Sequence, residues 1–290
     1  MTDHETNHDN IKHHIAGIFD RAASTYGQIG AQFFDYFGNF LVESAHITAG
    51  QRVLDVATGR GAVLFPAATA VGPTGQVVGI DLSSSMIELT RAVAVDQGKT
   101  NVELHHMDAE TLRFPDASFD AVLCGFALFM MPQMDQALAE MRRVLRPTRR
   151  IAFSTWANVF GPEFDWLEPL QNQFMPTPQA PARTRGGAMP TFDTPEGLTT
   201  ILADAGFMDV HIIPETARFT YADEETWWDS LWSHGIRGWL EALQQQQGEV
   251  AVQRFKEAAF AQLQAHRSPD GFPQISSVLF GLGSKSVQTS

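Results

Sequence analysis

The chain has 290 residues, with 33 acidic against 20 basic side chains and a net charge of −13. That length holds two domains or one large α/β domain with insertions, and a 44% hydrophobic content excludes a disordered chain. The acidic balance without a basic stripe argues against a nucleic-acid partner, and the longest apolar run, Ala121 to Met131, is too short at eleven residues for the roughly 18 of a membrane span.

The polar start, MTDHETNHDNIKHH, lacks the apolar stretch and cleavage site of a secretory signal, and the single cysteine, Cys124, cannot form an intrachain disulfide. Both point to a cytoplasmic protein. The expected partners are small molecules.

In chain order, apolar residues recur every three or four positions from Ile11 to His46, which predicts helix broken into two by Gly27 and Gly30. Short apolar runs follow, at Arg52 to Val56, Gln76 to Ile80, Asn101 to Met107, Phe119 to Gly125 and Arg150 to Thr155. They predict five parallel strands. Between them lie helices at Ala62 to Ala70, at Ser84 to Asp96 capped by Ser83, and at Met134 to Leu145 stopped by Pro147. Strands alternating with helices of this length form βαβ units and a doubly wound sheet.

Beyond Thr155 the character changes, and all six tryptophans lie there. Pro162 to Pro190 is rich in Pro, Gly, Gln and Met and reads as a loop-rich insertion. A helix is expected at Thr194 to Ala205, stopped by Gly206, then a strand at Phe207 to Ile213, an amphipathic helical stretch at Asp223 to His266 and a closing strand at Gln274 to Leu282.

The strongest motif is the run Val53 to Gly61, VLDVATGRG, a buried strand passing into a glycine turn and then a helix. Glycines there allow a tight turn and close approach of a ligand to the backbone. Asp81 ends the second strand, 20 residues after Gly61, where a carboxylate can accept both hydroxyls of a ribose. That much also fits a nicotinamide site. The third glycine of a dinucleotide fingerprint is missing, however, and Asp55 sits where a pyrophosphate would lie. A carboxylate repels that anion but suits an ammonium and a sulfonium, so S-adenosylmethionine is the expected cofactor.

With these residues the sequence resembles the class I S-adenosylmethionine-dependent methyltransferases, in the small-molecule branch that includes the ubiquinone and menaquinone C-methyltransferases. The pieces that carry the resemblance are FDRAASTY at Phe19 to Tyr26, the VLDVATGRG turn, GIDLS at Gly79 to Ser83 with Met86, MDAE at Met107 to Glu110, FPDASFD at Phe114 to Asp120 and MRRVLRP at Met141 to Pro147. It implies an α/β, Rossmann-like, doubly wound and mostly parallel seven-stranded sheet with an antiparallel last strand, an N-terminal helical cover and a helical lid insertion.

By the resemblance, Asp55 and the backbone of Ala57, Gly59 and Gly61 would hold the methionine end of the cofactor and Asp81 the ribose. Leu82 and Met86 would pack on the adenine, Asp108 and Ala109 would read its amino edge, and Cys124, Gly125 and Phe126 would line the site beneath the sulfonium. Tyr26 would close over it. One departure is Thr148-Arg149-Arg150, where the family has glycines.

The histidines at positions 4, 8, 13 and 14 have no accompanying ligand framework and read as a polar terminus, so no metal is expected. His105 and His106 read as satisfied strand residues. His234, among Trp227, Trp228, Leu231 and Trp232, is the candidate general base. Trp156, Trp228 and Trp232 are expected to line an apolar acceptor pocket, while Arg183 and Arg185 read as solvated loop residues. The expected units are residues 1–48 as helical cover, 49–156 as cofactor core, 157–192 as loop-rich lid insertion, 193–213 as core continuation, 214–272 as helical lid and 273–290 as final strand and tail.

The expected function is methyl transfer from S-adenosylmethionine, leaving S-adenosylhomocysteine, to O or C rather than N of a small, largely apolar or aromatic metabolite. The alternative is an S-adenosylmethionine-binding protein of the same fold with cyclase, decarboxylase or regulatory activity.

Overall fold

The computed structural model describes residues 3–160, 164–175 and 191–287. Two helices lead the chain, α1 (Asp3–Ala22) and α2 (Phe33–Ser44), and the turns between them place Gly27 and Gly30 at φ of 66° and 77°. The core then alternates: β1 (Arg52–Val56), α3 (Leu64–Val71), β2 (Gln76–Asp81), α4 (Ser84–Asp96), β3 (Val102–His106), β4 (Phe119–Gly125), α5 (Met134–Val144) and β5 (Leu145–Phe160). The second half adds α6 (Leu167–Phe174), α7 (Pro195–Asp204), β6 (Phe207–Tyr221), three helices, α8 (Glu224–Trp232), α9 (Arg237–Gln247) and α10 (Glu249–Gln264), and last β7 (Phe272–Lys285).

The seven strands form one sheet in the order β3-β2-β1-β4-β5-β7-β6. β1 to β5 pair in parallel, and β7 is antiparallel to both β5 and β6, as expected of the last strand. The order reverses between β1 and β4. In a doubly wound sheet that switch point opens a crevice at the carboxyl ends of the strands.

Strand alternation divides the core into two layers. Leu54, Val56, Val78 and Ile80 face one layer with α5 and α7, whereas Val53 and Val77 face the other with α2 and α3. Local signals explain the helix starts. The Ser83 hydroxyl accepts from the Met86 N–H at 3.1 Å, and the Thr194 hydroxyl accepts from the Gly197 N–H at the same distance. His105 and His106 find partners in Glu103 and the Leu82 carbonyl, so they need no functional explanation.

Several expectations change. β5 begins as soon as α5 ends and runs to Phe160, and α6 gives the region expected to be loop-rich a helix of its own. β6 continues to Tyr221 beside β7, because its partner strand is equally long and supplies hydrogen bonds throughout. The stretch from Asp223 to His266 is helical as expected, in three helices divided after Trp232 and at Gly248, whose φ of 82° stops α9. These helices and α6 share a third apolar cluster, with Trp227 and Phe255 at its centre. Arg183 and Arg185 lie outside the described residues.

At the departure after Pro147, Thr148 adopts φ of 63°, the conformation that glycine takes without penalty. The same end of the sheet is tied by Asp120, which accepts from the Arg52 N–H at 2.9 Å and pairs with Arg146 at 2.7 Å. Among the described residues no helix is long and apolar enough to cross a membrane.

Candidate active site

Two adjoining cavities occupy the switch point. The larger lies between α1 and the tips of β1, β2 and β4. Asp81, Leu82, Met86, Asp108 and Ala109 line it, five of the residues expected around an adenosine. The second lies beneath α2 and is lined by Asp55 with Thr58, Arg60, Phe34, Asp35 and Ser154. Tyr26, Ala57, Gly59, Gly125 and Phe126 line both and so mark their junction.

The junction is built from unusual backbone. Ala57 and Phe126, just past β1 and β4, hold φ of 56° and 52°, in the left-handed region that costs an L-residue roughly 1 to 2 kcal/mol. Such strain persists where surrounding contacts over-determine it, and it concentrates at functional sites. Gly61 takes φ of 90°, and a Cβ there would fall 2.4 Å from the Phe65 ring. Its place is thus structural: it lets the turn close but lines neither cavity.

Asp81 clamps this turn. Its Oδ2 accepts from the Gly59 N–H and its Oδ1 from the Ser83 N–H, both at 2.8 Å, so one carboxylate joins the two βα turns. A carboxylate has about four lone-pair sites, which leaves capacity for two ribose hydroxyls. Enclosure by protein raises its pKa, opposed by those two N–H donors. Asp55 is fully buried, its Oδ2 takes the Thr58 hydroxyl at 2.6 Å, and its Oδ1 has no partner. Burial pushes its pKa up to about 7, opposed by Thr58 and reinforced by the charge of Asp81.

The roof of the larger cavity comes from α1, whose Lys12, Ile15, Ala16 and Phe19 line it at helical spacing. The Lys12 ammonium bridges Asp108, at 2.7 Å, and Glu110. Asp20 accepts from the Ser83 hydroxyl at 2.5 Å and the Ser85 N–H at 3.1 Å, and Arg21 pairs with Glu241 of α9 at 2.6 Å. The sequence motif around Asp20 therefore docks α1 on α4 and on the lid. Tyr26 stacks on Phe34 at 5.0 Å and burial keeps its hydroxyl protonated.

Five further expected residues, Cys124, Trp156, Trp228, Trp232 and His234, line neither cavity. Cys124 lines neither cavity: strand alternation turns it into the core layer shared with Leu54 and Val122, where burial raises its thiol to about 12. Trp228 and Trp232 also line neither, because they pack on Trp227, Phe255 and each other within the lid. Trp156 is behind the cavity wall, its ring 4.4 Å from that of Phe126. His234 is buried against Phe33 and Phe34, at 5.6 Å and 6.1 Å, with Nε2 unpartnered; burial lowers its pKa to about 4.

Lys12, Arg60, Phe34 and Glu110 were not singled out from the sequence. The spacing 12, 15, 16, 19 was a usable signal for the roof, since it defines one face of a helix. Arg60 lies within the glycine turn, but nothing local gave it or Phe34 a role at the site.

Comparisons with known proteins agree with this geometry. A family described as a methyltransferase domain matches residues 53–148, from β1 to the start of β5. The aklanonic acid methyltransferase DauC of Streptomyces sp. (strain C5) is 42% identical over 144 residues, 50% of this chain and 66% of that protein's length. A ubiquinone/menaquinone biosynthesis C-methyltransferase of Hahella chejuensis is 35% identical over 52% of this chain and 66% of its own. In solved structures, YcgJ of Bacillus subtilis shares the fold with a TM-score of 0.57 at 19% identity, covering 87% of this chain and 99% of that one. The nocamycin O-methyltransferase of Saccharothrix syringae is 34% identical over 238 residues, 78% of this chain and 84% of that enzyme. A likeness of that extent, on a sheet whose switch point carries the expected acidic and glycine residues, means that the chain belongs to the S-adenosylmethionine-dependent methyltransferases.

Proposed function

We propose that the chain methylates oxygen or carbon of a small, largely apolar or aromatic metabolite, held where the two cavities meet. The observation that carries this reading is the aromatic wall there: Tyr26 and Phe126 line the junction and Phe34 the second cavity beside it, backed by Phe33 and Trp156. Apolar walls with a few placed polar groups are the usual make-up of a small-molecule site. The names of the relatives, an acid methyltransferase, an O-methyltransferase and a C-methyltransferase, support the same range of acceptor atoms. The net charge of −13 disfavours polyanions, nucleic acid included. Cytoplasmic residence fits the lone, buried cysteine.

The residues present fit the cofactor. The unpartnered Oδ1 of buried Asp55 is a ready acceptor for an ammonium, and Asp81 keeps free lone pairs at the neighbouring cavity. In this placement Asp55 holds the methionine end with the turn at Ala57 and Gly59, Asp81 holds the ribose, Leu82 and Met86 sandwich the adenine, and Asp108 with Ala109 meets its amino edge. When bound, the cofactor supplies a methyl group already activated by its sulfonium. The protein aligns the acceptor with that methyl for in-line displacement and keeps water out, which is the task of Tyr26, Phe34 and Phe126.

His234 stays the candidate general base: it is neutral at physiological pH with Nε2 unpartnered, but it is buried behind Phe33 and Phe34, and a pKa lowered to about 4 makes it a weak base. In this reading it receives the acceptor's proton as the new bond to carbon forms, once the acceptor has reached it past those rings. The test is acceptor-dependent formation of S-adenosylhomocysteine over a panel of phenols, carboxylic acids and carbon acids. Phe34→Ala and His234→Gln should lower turnover while leaving affinity for S-adenosylhomocysteine within about threefold. Efficient methylation of nucleic acid or protein, indifferent to these changes, would overturn the proposal.

A further inference from the structure

Buried polar atoms without a partner are rare in folded proteins, because each forfeits hydrogen bonds that water would provide. Among the described residues five side-chain atoms are in this state, and two of them belong to side chains of the second cavity: Oδ1 of Asp55 and Nε of Arg60. They are opposite in kind, one an acceptor on a carboxylate and the other a donor on a guanidinium. They also flank a single feature, the turn between β1 and α3.

We infer that Asp55 and Arg60 form a two-point clamp for the α-amino acid end of the cofactor, Asp55 receiving its ammonium and Arg60 its carboxylate. This rests on the cofactor placement proposed above and adds to it Arg60, a residue of the glycine turn to which the sequence assigned no role.

The geometry of Arg60 supports a binding role over a purely structural one. Its Nη1 donates to the Ala23 carbonyl at 2.5 Å, which anchors one side of the guanidinium on the segment leading to Tyr26. That anchor accounts for one donor only. An Arg serving solely as a tether would leave its other N–H groups to water, whereas the Nε–H here is shielded from it. A charged group left in this condition loses on the order of 1 to 3 kcal/mol or more. A ligand carboxylate would recover it.

Charge balance identifies the ligand class. Asp35 and Asp55 outnumber Arg60 among the ionisable groups of the cavity, so a simple anion is repelled. A group carrying an ammonium and a carboxylate on one carbon offers a partner of the right charge to each orphan. With the sulfonium the whole cofactor is cationic, and after methyl transfer that positive charge is gone. The acidic cavity therefore holds the reactive form more tightly than the spent one, which favours product release.

The experiment is calorimetric titration with two probes. S-adenosylhomocysteine carries the amino acid end; 5′-methylthioadenosine has the same adenosine and sulfur but lacks it. Arg60→Met should weaken S-adenosylhomocysteine tenfold or more and change 5′-methylthioadenosine by less than twofold, and Asp55→Asn should show the same pattern. Arg60→Lys, which keeps the charge, serves if the methionine variant fails to fold, and should give a smaller loss confined to S-adenosylhomocysteine. Equal losses for both probes would make Arg60 a tether of the Ala23 segment only, and no loss for either would remove it from the site; each overturns the inference. Failure of the unaltered protein to bind either probe would overturn the cofactor placement itself.

Discussion

Asp81→Ala is the sharpest test of the site, because one carboxylate serves both turn and ligand. The substitution deletes two acceptors, leaving the Gly59 and Ser83 N–H groups, each now bonded at 2.8 Å, without a partner. Each orphaned donor costs about 1 to 3 kcal/mol, partly offset because a carboxylate whose pKa is raised by enclosure no longer has to be held there. The folded protein should therefore lose modest stability, visible as a small drop in Tm. Ligand binding suffers separately. Two hydrogen bonds from ribose hydroxyls to a charged acceptor contribute on the order of 1.5 to 3 kcal/mol each, so the minimum loss of about 3 kcal/mol corresponds to roughly a hundredfold in Kd. Calorimetric titration with S-adenosylhomocysteine reads this directly. Asp81→Asn is no substitute, since an amide has one oxygen for two N–H donors and turns its own N–H group on the other. As a control, Ser83→Ala removes the cap of α4 but leaves Asp81 in place, and should weaken binding far less. An Asp81→Ala protein that binds within twofold of the unaltered chain would refute the placement of the ribose.

Thr148→Gly should stabilise the protein by up to about 1 kcal/mol, raising Tm by roughly 2 °C, because glycine accepts φ of 63° without the steric penalty; a lower Tm would contradict the strain assigned to that turn. Asp55 has a pKa of about 7 when folded, above its ordinary 3.8, so the folded state holds that proton more tightly. The stability it provides is complete below about pH 4 and is lost as pH rises to about 7, so Asp55→Asn should raise the Tm of the ligand-free protein near pH 8 and change it little near pH 4. Thermal melts across that range check it, and an equal effect at both ends would count against the burial argument. Trp228→Ala should lower stability by about 3 to 5 kcal/mol in denaturant titrations, since the side chain is 7% exposed within the lid cluster, yet leave cofactor affinity unchanged. A selective loss of turnover at unchanged stability would instead return Trp228 to the acceptor site.

The parts of the molecule legible in its sequence are those governed by neighbours a few residues apart. Hydrophobic runs bounded by turn residues placed β1 to β5, and the caps at Ser83 and Thr194 marked helix starts, because both depend on local backbone chemistry. The turn from Asp55 to Gly61 and the carboxylate at Asp81 were likewise readable, since the glycines and the acid must occur at the ends of strands to act there. Parity along a strand was also local information: it puts Cys124 on the Val122 face, in the core, and Gly125 on the other, whereas Phe126 reaches the cavities because its φ of 52° breaks the alternation just past β4.

Tertiary structure alone decided which distant side chains share a space. A cluster of tryptophans has the same pattern in sequence whether it faces a ligand or other tryptophans, and here Trp228 and Trp232 face the latter. The aromatic wall at the cavities instead combines Tyr26, Phe34 of α2 and Phe126 just past β4, and His234, some two hundred residues beyond Phe34, packs against Phe33 and Phe34. The end of β6 likewise followed from its pairing with β7, not from its own residues. Arg60 reads as an ordinary turn residue until folding encloses it with Asp55 in one cavity, for only then does an unpaired donor beside an unpaired acceptor acquire an energetic meaning.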